Sequence, residues 1–197
     1  MKPALVLLAA GASTRLGRCK ALVDLGGATP LARLLRAGSC LDEIAPLVVT
    51  GADHAPIAAA LPPGADLLQH RSWAAGRSGG IAHAARARSE RDLCLAPVDV
   101  PLVPSAVFEA LAATWEAAGA PARGWLAPRH GERHGHPLVL GHLLAAELTE
   151  LDPDTPLRAL RDRAEPLLEV AVEAREVLDD LDRPADLARL RLRFPAP

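Results

Sequence analysis

The residues with the most chemical potential stand together near the N-terminus, in Leu8-Ala9-Ala10-Gly11-Ala12-Ser13-Thr14-Arg15-Leu16-Gly17-Arg18-Cys19-Lys20. Gly11 and Gly17 let the backbone approach a ligand closely and expose successive N–H groups. Arg15 and Lys20 add two positive charges to the same stretch. Such a loop suits a triphosphate, because it cradles the oxygens and neutralises charge that builds on a departing pyrophosphate. Spacing excludes the two commonest phosphate loops: Gly17 is followed by Arg18-Cys19-Lys20 rather than by Lys-Ser/Thr, and no GxGxxG is present. A glycine pair after a strand also makes an ordinary tight turn, so the loop gains meaning only with partners.

Phosphoryl chemistry needs a hard cation, and Mg²⁺ is usually held by one or two carboxylates plus phosphate oxygens. Asp99 stands at the end of the apolar run Leu93–Val98, although an Asp there also opens an ordinary proline-containing turn. Asp182, in Asp179-Asp180-Leu181-Asp182-Arg183-Pro184, is a second metal-side carboxylate or the cap of the helix that Pro184 begins, with Asp180 the weaker candidate. His130, His134, His136 and His142 invite a zinc reading. Gly131, Gly135 and Pro137 break any helix that would align them, and no cysteine is near, so zinc is not expected.

Positioning these groups requires a scaffold. Ala4–Leu8 is a continuous apolar run, the pattern of a buried parallel strand, and Pro46–Thr50, Asp66–Gln69 and Leu93–Val98 read as further strands. Helices are predicted from Pro30 to Arg36 behind a capping Thr29, from Asp53 to Leu61, and over Ala82–Arg88. Pro104–Ala118 is the clearest helix, with Val107, Leu111 and Trp115 at four-residue spacing. This alternation predicts an α/β fold, a mainly parallel twisted sheet flanked by helices. After Arg123 the pattern changes. Trp125–Arg129 and Pro137–Gly141 flank the turn-like His130–His136, which predicts a small antiparallel hairpin insertion in the C-terminal half. Helical segments near His142–Leu151 and Pro156–Arg163, strands at Leu167–Val172 and Val177–Leu181, and a helix over Pro184–Leu192 complete the reading.

Composition narrows the function classes. The 197 residues predict one domain with a substantial core. A hydrophobic fraction of 50% with 23% charged residues excludes a disordered chain, and no apolar run approaches a membrane span. A net charge of −2 leaves no basic footprint for nucleic acid. Cys19, Cys40 and Cys94 are widely spaced without a CxxC, which points to reduced thiols and a cytoplasmic location. The apolar Ala4–Ala10 mimics a short signal peptide, but the Gly, Ser, Thr and Arg that follow read as a loop of a folded domain. Of the 22 basic residues only Lys2 and Lys20 are lysines, a bias that fits a GC-rich genome and singles out Lys20.

LAAGASTRLGRCK resembles the LAAGxSxRxGxxK signature of the MobA-like nucleotidyltransferases, with Gly11, Ser13, Arg15, Gly17 and Lys20 in register. Pro97-Val98-Asp99-Val100-Pro101-Leu102-Val103 resembles the family's DMPFV-type metal motif, and the stretch through Asp182 resembles its closing DIDTPED segment. The resemblance runs from Val6 to about Leu190. It implies a single Rossmann-like nucleotidyltransferase domain over residues 1–197, with 1–122 as the NTP-binding half and 123–197 as the acceptor-binding half. The implied reaction is Mg²⁺-dependent: a nucleoside monophosphate passes from an NTP to a phosphorylated acceptor, molybdopterin among them, and pyrophosphate is released.

Carried over residue by residue, Arg15, Lys20 and Asp99 would be catalytic. Leu8, Ala9, Ala10, Gly11, Ser13, Arg15, Gly17, Lys20, Gly76 and Ser78 would bind nucleotide, Asp99 and Asp182 metal, and His136 and Asp154 the acceptor. Ala9-Ala10-Gly11 accompanies cytidylyl transfer in the family more often than guanylyl transfer, so CTP is favoured over GTP. Two departures stand out. In the His70–Gly80 loop, His70 replaces the usual Asn and Gly79-Gly80 replace two serines, while Leu151–Arg158 lacks the glycines of a GDxGAR-like acceptor loop. They keep open a cytidylyltransferase for a polyol phosphate or a sugar-phosphate nucleotidyltransferase. A non-catalytic nucleotide-binding protein with the same fold is a further reading, against which Arg15, Lys20 and Asp99 argue together.

Overall fold

Apolar runs that are hydrophobic on both faces become the centre of the sheet. The computed structural model describes residues 1–194, apart from the side chain of Arg77. Strand β1 (Ala4–Ala9) pairs in parallel with β2 (Leu47–Thr50), which pairs in parallel with β3 (Asp66–Gln69). On its other side β1 pairs in parallel with β4 (Leu93–Pro97), Leu5 opposite Cys94. The second half of the chain adds β5 (Trp125–His130), β6 (Arg133–His134), β7 (Leu138–Leu140) and β8 (Leu167–Ala171). β7 joins β4 and β5 antiparallel to both, so the expected antiparallel pair is β5 with β7, the stretch read as its turn adds the short β6 against β5, and β8 runs parallel to β5. The order is β3-β2-β1-β4-β7-β5-β6, with β8 beside β5.

Alternate residues of β1 feed two cores. Leu5, Leu7 and Ala9 pack with Leu31 and Leu34 of α1 (Pro30–Ala37), Ile57 of α2 (His54–Ala60), and Val107, Phe108, Leu111 and Trp115 of α4 (Ser105–Ala117). Ala4 and Val6 pack on the opposite face with Ile81 and Ala84 of α3 (Arg77–Ala87) and Leu144 of α5 (His142–Ala146). Helix α1 begins as expected, with Pro30 in its first turn and the Thr29 hydroxyl accepting from Ala32 N–H at 3.2 Å. The chain leaves β1 towards one face and enters β4 from the other. The carboxyl ends of these neighbours therefore bound the crevice in which open α/β sheets place their ligands.

A third, smaller core lies beneath that crevice. Leu187 and Leu190 of α6 (Pro184–Arg191), with Leu181, pack on Leu16, Val23 and Leu25 in the segment after β1. Burial of each such leucine contributes about 1.5–3 kcal/mol. The glycine-rich loop thus rests on an apolar platform supplied by the C-terminal helix.

Three expectations need correction. Helix α3 starts at Arg77, ahead of the expected Ala82. Beyond Ala146 the chain tightens into the 3₁₀ turn Glu147–Thr149, and Leu157–Arg163 is also 3₁₀. Val177–Leu181 is not a strand: Arg175–Leu178 is a 3₁₀ turn whose backbone bonds go to loops. Val177 C=O accepts from His136 N–H at 3.0 Å, and Leu181 N–H donates to Asp99 C=O at 2.7 Å. Val177 and Leu181 are apolar because they anchor two different cores. No helix among the described residues is long and apolar enough to cross a membrane, and all three cysteines are free.

Candidate active site

Within the loop after β1, Ser13 takes φ +51° and Gly17 φ +73°, and the Ser13 carbonyl accepts from both Leu16 and Gly17 N–H at 3.0 Å. The left-handed backbone at 17 needs glycine. The Ser13 hydroxyl then accepts from Lys20 N–H at 3.2 Å, which sets the lysine at the start of a short 3₁₀ turn. Leu8, Ala9, Gly11, Ser13, Lys20 and Asp99 line one cleft with Cys19, Ala21 and Val98. The crevice between β1 and β4 therefore collects the main sequence candidates.

Charge organises that crevice. Lys20 Nζ donates to Asp182 Oδ1 and lies 3.8 Å from Asp99 Oδ2, while Arg15 Nη2 is 2.7 Å from Asp182 Oδ2. A single carboxylate from the C-terminal segment thus holds both Arg15 and Lys20, although Asp182 is 162 residues from Lys20 in sequence. Asp182 does not cap α6. Asp186 does so, accepting from Asp182 and Arg183 N–H at 3.0 and 2.8 Å, and the Asp182 carboxylate turns towards the loop instead. Asp186 is absent from the sequence candidates, although an acidic residue three positions after an N-cap is a recognisable signal.

Asp180 and His136 complete the polar group. Burial, then the neighbouring Asp99 and Asp182 carboxylates, push the Asp180 carboxyl above its usual range. Burial pushes the His136 imidazole below its usual range, against the opposite pull of Asp99 and Asp180. His136 Nδ1 is buried without a hydrogen-bond partner among the described residues. Among those residues no cluster of three or more His, Cys, Asp or Glu side chains forms a metal cage. Asp99 and Asp182 nonetheless present oxygens to the same ammonium, a convergence of hard donors that fits a small divalent cation completed by substrate phosphates.

Neighbouring segments brace the loop. Ala52 N–H donates to Ala10 C=O at 3.1 Å, tying the turn between β2 and α2 to the loop. A Cβ at Gly51 would collide with that carbonyl and lie 2.6 Å from Trp73, so glycine permits both approaches. Burial and then Asp53, which accepts a hydrogen bond from the thiol, push Cys19 up to about 11. The thiol is thereby kept protonated and unreactive.

Gly76 and Ser78 stand elsewhere than the β1–β4 cleft. Ser78 is buried and its hydroxyl donates to Thr155 C=O at 2.5 Å. Gly76, at φ +152°, lies against Pro153, whose carbonyl oxygen would collide with a Cβ. Both belong to a clasp between the start of α3 and the segment around Asp154, an exposed residue whose N–H donates to Asp152 at 3.0 Å. The same region explains one of the two unusual glycines. A Cβ at Gly79 would lie 2.9 Å from His70 Nε2, whereas one at Gly80 would make only ordinary contact with the ring, 3.7 Å from His70 Cδ2. The His70 ring is buried, tilted on His83 at 4.7 Å, and takes the room of a larger residue at position 79. His70 and Gly79 are therefore one coupled departure rather than two.

No curated protein matches the chain. Among solved structures, Rv0371c from Mycobacterium tuberculosis H37Rv aligns with a TM-score of 0.78 and 25% identity, covering 98% of this chain and 99% of that one. A second structure of that protein is a complex with manganese. Molybdopterin-guanine dinucleotide biosynthesis protein A from Archaeoglobus fulgidus aligns at 0.75 with 21% identity over 96% and 97% of the two chains. The 2-C-methyl-D-erythritol 4-phosphate cytidylyltransferase from Thermus thermophilus aligns at 0.67 with 18% identity over 97% and 98%. These likenesses show a shared fold over nearly the whole chain. The profile of the family described as MobA-like NTP transferase domain matches residues 5–169, and the chain belongs to that family of nucleotidyltransferases.

Proposed function

We propose that the protein transfers a nucleoside monophosphate, CMP from CTP in preference to GMP from GTP, to a phosphorylated small-molecule acceptor. The observation that carries this reading is the meeting of Arg15 and Lys20 with Asp99 and Asp182 at the carboxyl ends of β1 and β4. Residues 1–122 form the NTP-binding half and 123–197 the acceptor-binding half. Reduced cysteines fit a cytoplasmic location.

An oxygen of the acceptor phosphate attacks the α-phosphorus of the NTP in line. The new P–O bond forms as the bond from the α-phosphorus to the α–β bridging oxygen breaks, and that oxygen leaves with the electron pair on pyrophosphate. No side chain becomes covalently attached, and the acceptor phosphate is already ionised at neutral pH. Arg15, Lys20 and the N–H groups of loop 11–20 neutralise charge on the departing pyrophosphate. Asp99 and Asp182 would hold Mg²⁺, which supplies charge stabilisation at the phosphates when bound. His136, kept neutral by burial, offers the acceptor phosphate a hydrogen bond without a competing charge.

Ala10 supports CTP through the family's association of Ala-Ala-Gly with cytidylyl transfer. Molybdopterin is the acceptor most in keeping with the family, and the absent glycines in 151–158 support a polyol or sugar phosphate instead. Pyrophosphate release measured with four NTPs, Mg²⁺ and each acceptor tests the reading. Acceptor-dependent release, fastest with CTP, is expected. Faster release with GTP overturns the nucleotide choice, and release unchanged in Lys20→Ala overturns the mechanism.

A further inference from the structure

On the sheet face that carries α3 and α5, the 3₁₀ segment Leu157–Arg163 folds over the starts of β5 and β8 through its buried Leu160. Between them lies a cleft of about 220 Å³, separate from the one at the glycine-rich loop. Its floor is apolar, from Trp125, Leu138 and Leu167, and its wall carries Arg158 and Arg161. Glu169 is the only carboxylate among the lining residues, and it is already engaged by Arg129 at 3.2 Å and His134 at 2.5 Å. Neither the Arg158 nor the Arg161 guanidinium has an ion pair or hydrogen bond among the described residues, and Arg161 only helps to lower the Glu169 carboxyl. In a chain of net charge −2, this cleft therefore presents two arginines against one carboxylate that Arg129 and His134 already engage, a net positive wall over an apolar floor.

Its position links it to the reaction. One end is lined by His136, which feels the Asp99 carboxylate of the first cleft. The other end reaches Trp125, which pairs with Leu140, itself opposite Leu93. Trp125 is thus level with a residue six positions before Asp99, about 20 Å along the strand. A molecule filling the cleft and reaching Asp99 is longer than a phosphate on a short polyol.

We propose that this cleft seats the body of the acceptor, and that Arg158 and Arg161 bind a second acidic group on it, a carboxylate or phosphate distinct from the one that attacks. The assignment rests on the transferase reading for the identity of the occupant, and the charge and shape of the cleft stand independently of it. Planar guanidiniums take carboxylate and phosphate alike, in two parallel hydrogen bonds.

Trp125 on the floor provides the probe. Its fluorescence is followed while 4-carboxyphenyl phosphate, phenyl phosphate or inorganic phosphate is added, with Trp125→Phe as the signal control. The carboxylated probe is expected to bind at least about tenfold more tightly than phenyl phosphate, as one added charge-assisted contact predicts. The double variant Arg158→Gln/Arg161→Gln removes that preference and leaves CTP affinity unchanged, which also shows that it folds. The single variants keep the same ordering with smaller losses. Equal binding of the two aryl phosphates, or a preference that survives the double variant, overturns the proposal. Inorganic phosphate binding as tightly as the carboxylated probe overturns the acceptor assignment in favour of a free-anion site. A protein that shows the preference but binds no CTP refutes the transferase reading and leaves the anion site standing.

Discussion

Asp182 joins the C-terminal segment to both Arg15 and Lys20 of the loop, so its removal tests the arrangement most sharply. Lys20 and Asp182 side chains are 13% and 28% exposed, between a surface pair and a buried one. Exposed pairs contribute about 0–1 kcal/mol, whereas breaking a buried pair costs about 3–5 kcal/mol. The intermediate burial places the Lys20–Asp182 coupling at about 1–3 kcal/mol. A double-mutant cycle isolates it: urea unfolding of the native protein, Asp182→Asn, Lys20→Met and the double variant. Asparagine keeps the shape of the side chain, and methionine keeps most of the apolar stem. The single variants each lower the midpoint without changing the slope, and the double variant costs less than their sum. A coupling below about 0.3 kcal/mol, which is ordinary additivity for independent sites, refutes the claim that Asp182 anchors the loop.

Other consequences follow from the same geometry. Gly79→Ser places a Cβ 2.9 Å from His70 Nε2 and loses about 1–3 kcal/mol by overpacking, and adding His70→Asn restores most of it in the same unfolding assay. Leu190→Ala, in the core beneath the loop, costs about 2–5 kcal/mol and weakens CTP binding, because the platform under Leu16 is lost; unchanged CTP affinity at reduced stability would separate the two roles. His70 is held below the usual imidazole range first by burial and then by His83. The unfolded chain therefore binds the proton more readily, and stability falls as pH drops below about 6.5. Thermal unfolding between about pH 7.5 and 5 is expected to show that loss, and His70→Asn to flatten it.

Much of the sheet was legible because Ala4–Leu8, Pro46–Thr50 and Leu93–Val98 are short runs, largely apolar at consecutive positions, which suits a strand covered on both faces. Val177–Leu181 misled because its apolar residues serve as two separate anchors, with backbone partners at His136 and Asp99 rather than in a ladder. The start of α3 was missed because Ser78, Gly79 and Gly80 are poor helix formers. Their packing against Thr155, Pro153 and His70 compensates. At the site, Arg15 and Lys20 stood out by their charge within the glycine-rich stretch and Asp99 by its place at the end of an apolar run, while their roles came from the family resemblance. The alternatives for Asp182 could be separated only in three dimensions, where Asp186 takes over the cap and frees the Asp182 carboxylate for the loop cations. Arg161 carried no local signal, since an arginine in an arginine-rich chain becomes notable only when it lines a cleft that holds more cations than carboxylates.

The central claim is that the triphosphate of an NTP and its cation sit between the glycine-rich loop and the carboxylates Asp99 and Asp182. Crystals grown with CTP and Mn²⁺, measured for anomalous scattering of the metal, address it directly. The expected map has a manganese peak coordinated by Asp99 and Asp182, with the triphosphate on residues 11–20 in contact with Arg15 and Lys20. Nucleotide bound away from that loop, or a metal peak that neither carboxylate touches, contradicts the account.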